Sequence, residues 1–178
     1  MTNFFIHSTV NGIYDTNYAR STINNIIEKN NIPTTDINEL VIRGQGGKHY
    51  NLQNYKNQMS SIVEKSTRVI KEKLVLNNLI DKDTNLNFFN MWTALGYENG
   101  FHKIHQDQAG TISAIIYLSV ASSTFHKSGM FYAVVDNQII EHTPRNGDCL
   151  IFSNGVLHGT YPQDIGLSHT LNISFNLE

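Results

Sequence analysis

The stretch "FHKIHQDQAG", residues 101–110, gathers two histidines and one acid in a chain dominated elsewhere by Asn, Ile, Ser and Thr. On a β-strand, residues two apart face the same way, so His105 and Asp107 can aim an imidazole and a carboxylate at one point. His102 and Ile104 have the opposite parity and are expected to point away. A further histidine, His158, sits much later in "SNGVLHGTYP". Two imidazoles and one carboxylate leave three adjacent positions of an octahedral ion open, a donor set that suits Fe(II) and leaves room for a bidentate small molecule and O2. A hydrolytic zinc site usually has a more closed, tetrahedral set. By itself His-x-Asp is weak, because eight histidines in 178 residues produce such spacings by chance. The same residues equally describe a solvated polar turn.

Which elements could bring these residues together is read from periodicity. "DTNYARSTINNIIEK", 15–29, carries Tyr18, Ile23, Ile26 and Ile27 at helical spacing, with Asp15 or Thr16 as its cap. "ELVIRG", 39–44, reads as a short strand running into the turn "GQGG". A long helix is expected from about Leu52 to Leu76, with Tyr55, Met59, Ile62, Val63, Val69, Ile70 and Leu74 forming its core-facing stripe. From Asn85 onward short β-rich runs alternate with Gly, Asn and Pro breaks: "NLNFFNMWTAL", "TISAIIYLSV", "GMFYAVV", "QIIEHT", "DCLIFSNG" and "HTLNISFNLE". The expected fold is α+β, a double-stranded β-helix (jelly roll) with helices on one outer face. One domain is expected over 1–178, with helical support and flanking strands in 1–84 and the jelly-roll core in 85–178.

Composition narrows the classes. A hydrophobic content of 40%, a charged content of 16% and a net charge of −2 describe a globular chain without the basic excess of a general nucleic-acid binder. No apolar run is long enough to cross a bilayer, and "MTNFFIHSTVNGIYD" lacks the pattern of a secretory leader. A cytoplasmic protein with no membrane partner is expected. The lone Cys149 fits a reducing compartment as a small buried hydrophobe. Abundant Asn, Ile and Lys suggest an AT-rich, viral source. Oligomeric state is not readable.

The order W…G…H-x-D…S-x-x-x-Y-L…P-x-x-G-D-x-x-x-F…H…N-x-S-F-N resembles the Fe(II)/2-oxoglutarate-dependent oxygenases. It is most similar to their prolyl-hydroxylase-like branch and to small oxygenases of phages and bacteria. Here it comprises Trp92, Gly100, His105, Asp107, Ser113, Tyr117, Leu118, Pro144, Gly147, Asp148, Phe152, His158, Asn172, Ser174, Phe175 and Asn176. The likeness runs from about residue 88 to the end, with an echo in "GQGGKHYNLQNY", 44–55. The resemblance implies His105, Asp107 and His158 as iron ligands. It implies oxidation of a C–H bond of a peptide or small metabolite by O2, with 2-oxoglutarate converted to succinate.

The chain departs from that pattern at one place. The family's basic residue for the distal carboxylate of 2-oxoglutarate falls on Thr170, and no Lys or Arg follows Arg145. In "HTLNISFN", Leu171, Ile173 and Phe175 share one face, expected against the helices. Thr170, Asn172, Ser174 and Asn176 share the other, expected to line a pocket, with His169 pointing outward. Tyr117 is expected to point inward and meet the co-substrate, alongside Thr170 and Asn172. A second tyrosine of such enzymes would fall at Leu95 and is missing. Lys103, which shares parity with His105 and Asp107, is the first candidate for a substitute cation, followed by Lys127 and Arg145. The alternative is a non-catalytic, or non-2-oxoglutarate, cupin-like metal-binding module. Trp92 is expected in the core. His7, His49, His126 and His142 are expected at the surface or as caps, and Tyr97, Glu98 and Asn99 in a turn before the first metal strand.

Overall fold

Asp15 opens the first helix: its carboxylate accepts the Asn17 N–H at 2.8 Å, satisfying one of the donors that a helix start leaves free. The computed structural model describes residues 3–36, 45–107, 110–123 and 125–178. After β1 (Phe5–Thr9), helix α1 spans Thr16–Asn30 and ends at Asn31, whose left-handed backbone (φ 47°) closes the C-terminus. Ala19, Ile23 and Ile26 are its buried face, whereas Tyr18 is exposed. The strand expected at 39–44 lies outside the described residues. Gln45, Gly46 and Gly47 belong not to a turn but to β3 (Gln45–Asn51), which pairs with β2 (Thr35–Asp36).

The second helix starts later than its apolar stripe suggests. Leu52 donates its N–H to the Met91 carbonyl, tying that segment to the sheet, and a 3-10 helix over Gln53–Met59 precedes α2 (Ser60–Leu76). The strands that follow are β4 (Leu86–Phe101), β5 (Ile112–Ser119), β6 (Phe131–Val135), β7 (Gln138–His142), β8 (Asp148–Ser153), β9 (Leu157–Thr160) and β10 (Ser168–Leu177). β4 runs through Tyr97, Glu98 and Asn99, so these residues form no separate turn. The tip is held because Asn99 donates its N–H to Gln163 O (2.8 Å) and Gln163 returns one to Gly100 O (2.9 Å). β1 has no counterpart among the runs read from the sequence; it pairs with β8.

Among the described residues two antiparallel sheets result, one of seven strands in the order β1-β8-β5-β10-β4-β3-β2 and one of three in the order β7-β6-β9. β6 and β7 join through Asp136 and Asn137, both at positive φ, the geometry of a tight two-residue hairpin. Alternation along the strands divides the apolar residues into two layers. Ala114, Ile116, Leu171, Ile173 and Phe175 pack with Ile23, Ile62, Ile70 and Leu74 of the helices. Tyr117, Phe131, Leu150 and Phe152 fill the space between the sheets. Cys149 is fully buried in the helical layer, where burial pushes its thiol up to about 12, so it serves as an apolar filler.

His169 does face away from the inter-sheet space, but it is buried beneath the helices rather than solvated. The Thr93 hydroxyl donates to Thr170 O (2.6 Å) and therefore accepts the His169 Nε2–H (2.7 Å). Burial, reinforced by the positive charge of Arg20, pushes this imidazole down from 6.5 to about 4. The unfolded chain therefore takes up a proton between pH 6.5 and about 4 that the folded chain refuses. Stability from this group is complete above that window and is lost as pH falls through it, by on the order of 3 kcal/mol. His169→Gln, which keeps a donor for Thr93 and does not titrate, should flatten this part of the acid dependence. The check is the difference in denaturation midpoint between variant and wild type across that pH range.

Candidate metal centre

His105 and His158 are brought together by backbone pairing. Past the end of β4 the chain lies against β9: His105 N–H bonds His158 O at 2.9 Å and His158 N–H bonds His105 O at 2.8 Å. A hydrogen-bonded antiparallel pair sets its side chains next to each other on one face. The two rings lie 4.4 Å apart, centroid to centroid. Gly159 permits the close approach, since a Cβ there would sit 2.7 Å from His102 O and 2.6 Å from the Tyr132 hydroxyl. Asp107 lies in irregular chain two residues on, so strand parity does not place it. Its Oδ1 is nevertheless 4.0 Å from His105 Nε2 and 3.9 Å from His158 Nε2.

The tautomers are set locally. His105 Nδ1 lies 2.6 Å from Lys103 O and His158 Nδ1 lies 3.0 Å from Val156 O. A carbonyl only accepts, so each Nδ1 carries a proton, and in the neutral imidazole that leaves the lone pair on Nε2. Two lone pairs and a carboxylate oxygen thus converge at separations too long for hydrogen bonds. Two neutral imidazoles and a carboxylate brought together in this way form a donor set that fits a divalent metal. Burial, the largest influence, holds the His158 pKa below its ordinary value despite the attraction of Asp107, which favours the neutral, metal-binding form.

A second His/His/Asp group has the opposite character. His7, His142 and Asp148 also cluster, but His142 Nε2 is 2.8 Å and His7 Nε2 is 3.1 Å from separate Asp148 oxygens. The Arg145 N–H adds a further bond to the same carboxylate. These are closed hydrogen bonds that satisfy a buried acid and hold β1, β7 and β8 together. His7, exposed as expected, and half-buried His142 are therefore both partners of Asp148.

The cavity at the centre is lined by residues from both sheets. Tyr117, Thr170 and Asn172 all face it, with burial pushing the Tyr117 phenol up so that it stays neutral. Trp92, expected in the core, is half-buried and forms part of the cavity wall. His102, expected to point away, lines the cavity as well, and so does His49. Leu95 is absent from the lining while its neighbours Ala94 and Gly96 are present, so counting back from His105 lands on the wrong face of β4. Among the described residues no Lys or Arg lines the cavity, and Asp107 is its one carboxylate. Lys103 is exposed, and what it supplies here is its main-chain carbonyl to His105. Lys127 bonds Glu141 and lies over the Tyr161 ring, and Arg145 is exposed.

No protein-family model matches the sequence, and no curated protein matches it. Solved structures do match the fold. A Pseudomonas putida prolyl-4-hydroxylase superposes with a TM-score of 0.66 at 17% identity, covering 98% of this chain and 93% of that one. A Trichoplax adhaerens prolyl hydroxylase in complex with a hypoxia-inducible-factor peptide gives 0.67 at 11%, covering 98% and 84%. HygX from Streptomyces hygroscopicus, with nickel, 2-oxoglutarate and hygromycin B bound, gives 0.62 at 13%, covering 98% and 83%. At these identities the likeness establishes the fold alone, the double-stranded β-helix expected from the sequence.

Proposed function

We propose that this chain is a non-haem Fe(II)- and 2-oxoglutarate-dependent oxygenase that hydroxylates a peptide or small metabolite. The observation that carries the reading is the convergence of His105 Nε2, His158 Nε2 and Asp107 Oδ1 with both imidazole protons held on the far nitrogens. The fold shared with prolyl hydroxylases and with HygX supports it, and those proteins span peptide and small-molecule ligands.

Fe(II), with 2-oxoglutarate and O2, would supply the oxidation of a C–H bond, with 2-oxoglutarate converted to succinate and CO2. The chain's own residues do the positioning. His105, Asp107 and His158 would hold the metal. The carbonyls of Lys103 and Val156 keep both rings oriented. Phe131 and Phe152 pack against the His158 ring at 5.7 and 4.5 Å and exclude water behind it. Tyr117, Thr170 and Asn172 present hydroxyl and amide groups to the cavity for polar parts of a co-substrate. No helix among the described residues is long and apolar enough to cross a membrane.

Anaerobic addition of 2-oxoglutarate to the Fe(II)-loaded protein should produce a visible metal-to-ligand charge-transfer band that saturates at one equivalent. With iron bound and no band at any 2-oxoglutarate concentration, the second reading holds instead. That reading, a cupin-like metal-binding module that does not use 2-oxoglutarate, is favoured by the absence of a lysine or arginine from the described cavity lining.

A further inference from the structure

Of the three side chains at the centre, Asp107 is the one whose backbone is held by no strand pairing. His105 and His158 are fixed to each other, whereas Asp107 lies in irregular chain between that pair and the start of β5. Two anchors for this stretch come from one turn, residues 153–156, which is closed by the Val156 N–H on Ser153 O (2.9 Å). Before Asp107, the Gln106 amide donates to Gly155 O at 2.7 Å. After it, the Asn154 amide donates to Gly110 O at 2.6 Å, and the Asn154 N–H bonds Thr111 O at 3.1 Å. A carbonyl only accepts, so Asn154 presents Nδ2 to Gly110, which leaves Oδ1 to accept the Ser113 hydroxyl at 2.8 Å. Gly110 is hemmed in from the other side as well. At φ 80° it passes so close to β10 that a Cβ would lie 2.7 Å from Phe175 O, the carbonyl that also accepts the Thr111 N–H.

We infer that Asn154 and Gln106 are positioning residues for Asp107, fastening the chain on either side of it to the turn that leads into His158. The inference rests on the metal site of the function proposed above. Neither side chain lines the cavity, so each acts through Asp107 rather than on a bound molecule. Both anchors belong to the segment that carries His158, so the carboxylate and that imidazole keep their relative place. Asp107 Oδ1 accordingly stands at nearly equal distances, 4.0 and 3.9 Å, from the two Nε2 atoms. Holding a ligand in place before the metal arrives spares the ordering entropy that binding would otherwise have to overcome.

A double-mutant cycle read by Ni(II) affinity tests this, because such a donor set binds Ni(II) more tightly than Fe(II) and weakened variants stay measurable. Asn154→Ala should weaken Ni(II) binding roughly 10- to 100-fold, the usual effect of losing a group that orients a ligand. Gln106→Ala, a change at an exposed position that leaves the fold intact, should weaken it by about 2- to 10-fold, as for one hydrogen bond. In an Asp107→Ala background neither substitution should weaken binding further, because the group they position is gone. In a His158→Ala background both should have their full effect. Wild-type affinity in both single variants, or an undiminished effect in the Asp107→Ala background, overturns the inference while leaving the metal centre standing. Should Asn154→Ala not fold, Gln106→Ala decides by the same comparisons. If wild type takes up no Ni(II), it is the metal-centre reading that fails, and the inference falls with it.

Discussion

Asp107→Ala should abolish stoichiometric Fe(II) binding, with affinity falling about a thousand-fold, the equivalent of about 4 kcal/mol. The carboxylate is the single negative charge of the donor set and lies within 4.0 Å of both imidazole nitrogens. His105→Ala and His158→Ala should behave similarly, since each removes one of two neutral donors. The metal-free proteins should show a different pattern. In the absence of a cation the three acceptors repel one another, so metal-free Asp107→Ala should be no less stable than metal-free wild type. What disappears is the stabilisation that added Fe(II) confers on the wild-type fold. His142→Ala provides the contrast: it breaks a closed hydrogen bond to Asp148 and should lower stability while leaving Fe(II) stoichiometry intact. Calorimetric metal titration and thermal melts with and without metal read both effects. Unchanged Fe(II) affinity in Asp107→Ala would sink the assignment of the centre.

Phe152→Ala should be the most damaging single change between the sheets, at about 3–5 kcal/mol. Its ring is fully buried, 5.9 Å from Phe131 and 4.5 Å from His158. Truncation leaves a void directly behind the His158 imidazole, so the cost should not be confined to stability. His158 gains freedom to rotate off the shared focus, and Fe(II) affinity should drop roughly 10- to 100-fold, as for loss of an orienting neighbour. Phe175 separates the two effects. It is just as buried but belongs to the layer under the helices. Phe175→Ala should therefore destabilise by a similar amount and leave the affinity of the folded protein unchanged. Urea denaturation supplies the first quantity and a metal titration below the transition supplies the second. Equal affinity losses in both variants would show that metal binding follows global stability rather than the packing behind His158.

Much of the molecule can be traced to local sequence. The Asp15 cap and the Ala19, Ile23 and Ile26 stripe make α1 visible. The alternation of "HTLNISFN" puts Leu171, Ile173 and Phe175 against the helices and Thr170 and Asn172 on the cavity, because a period of two is imposed by the backbone itself. Ser174 and Asn176, expected on the cavity as well, are not among its lining residues, and the strand register shifts at Ser174. The same alternation places Tyr117 inside. Errors arose where distance along the chain stood in for position in space. Parity placed His105 and Asp107 on one strand, whereas His105 is fixed by pairing with His158 and Asp107 follows in irregular chain. Counting back to Leu95 missed the cavity by one residue, and a strand shifted by one presents the opposite face.

Residue types and order alone thus determined the β-rich second half and the inward placing of Tyr117, Thr170 and Asn172, and they singled out His105, Asp107 and His158 by chemical type, since composition and period act within a few residues. Only the tertiary structure decided that His105 would be the backbone partner of His158, that His49 on β3 would share a row with Thr170, and that His7 and His142 would close upon Asp148 instead of opening toward a metal. These are contacts between segments far apart in the chain. Their register follows from how two sheets and two helices bury their apolar faces together, which no local pattern encodes.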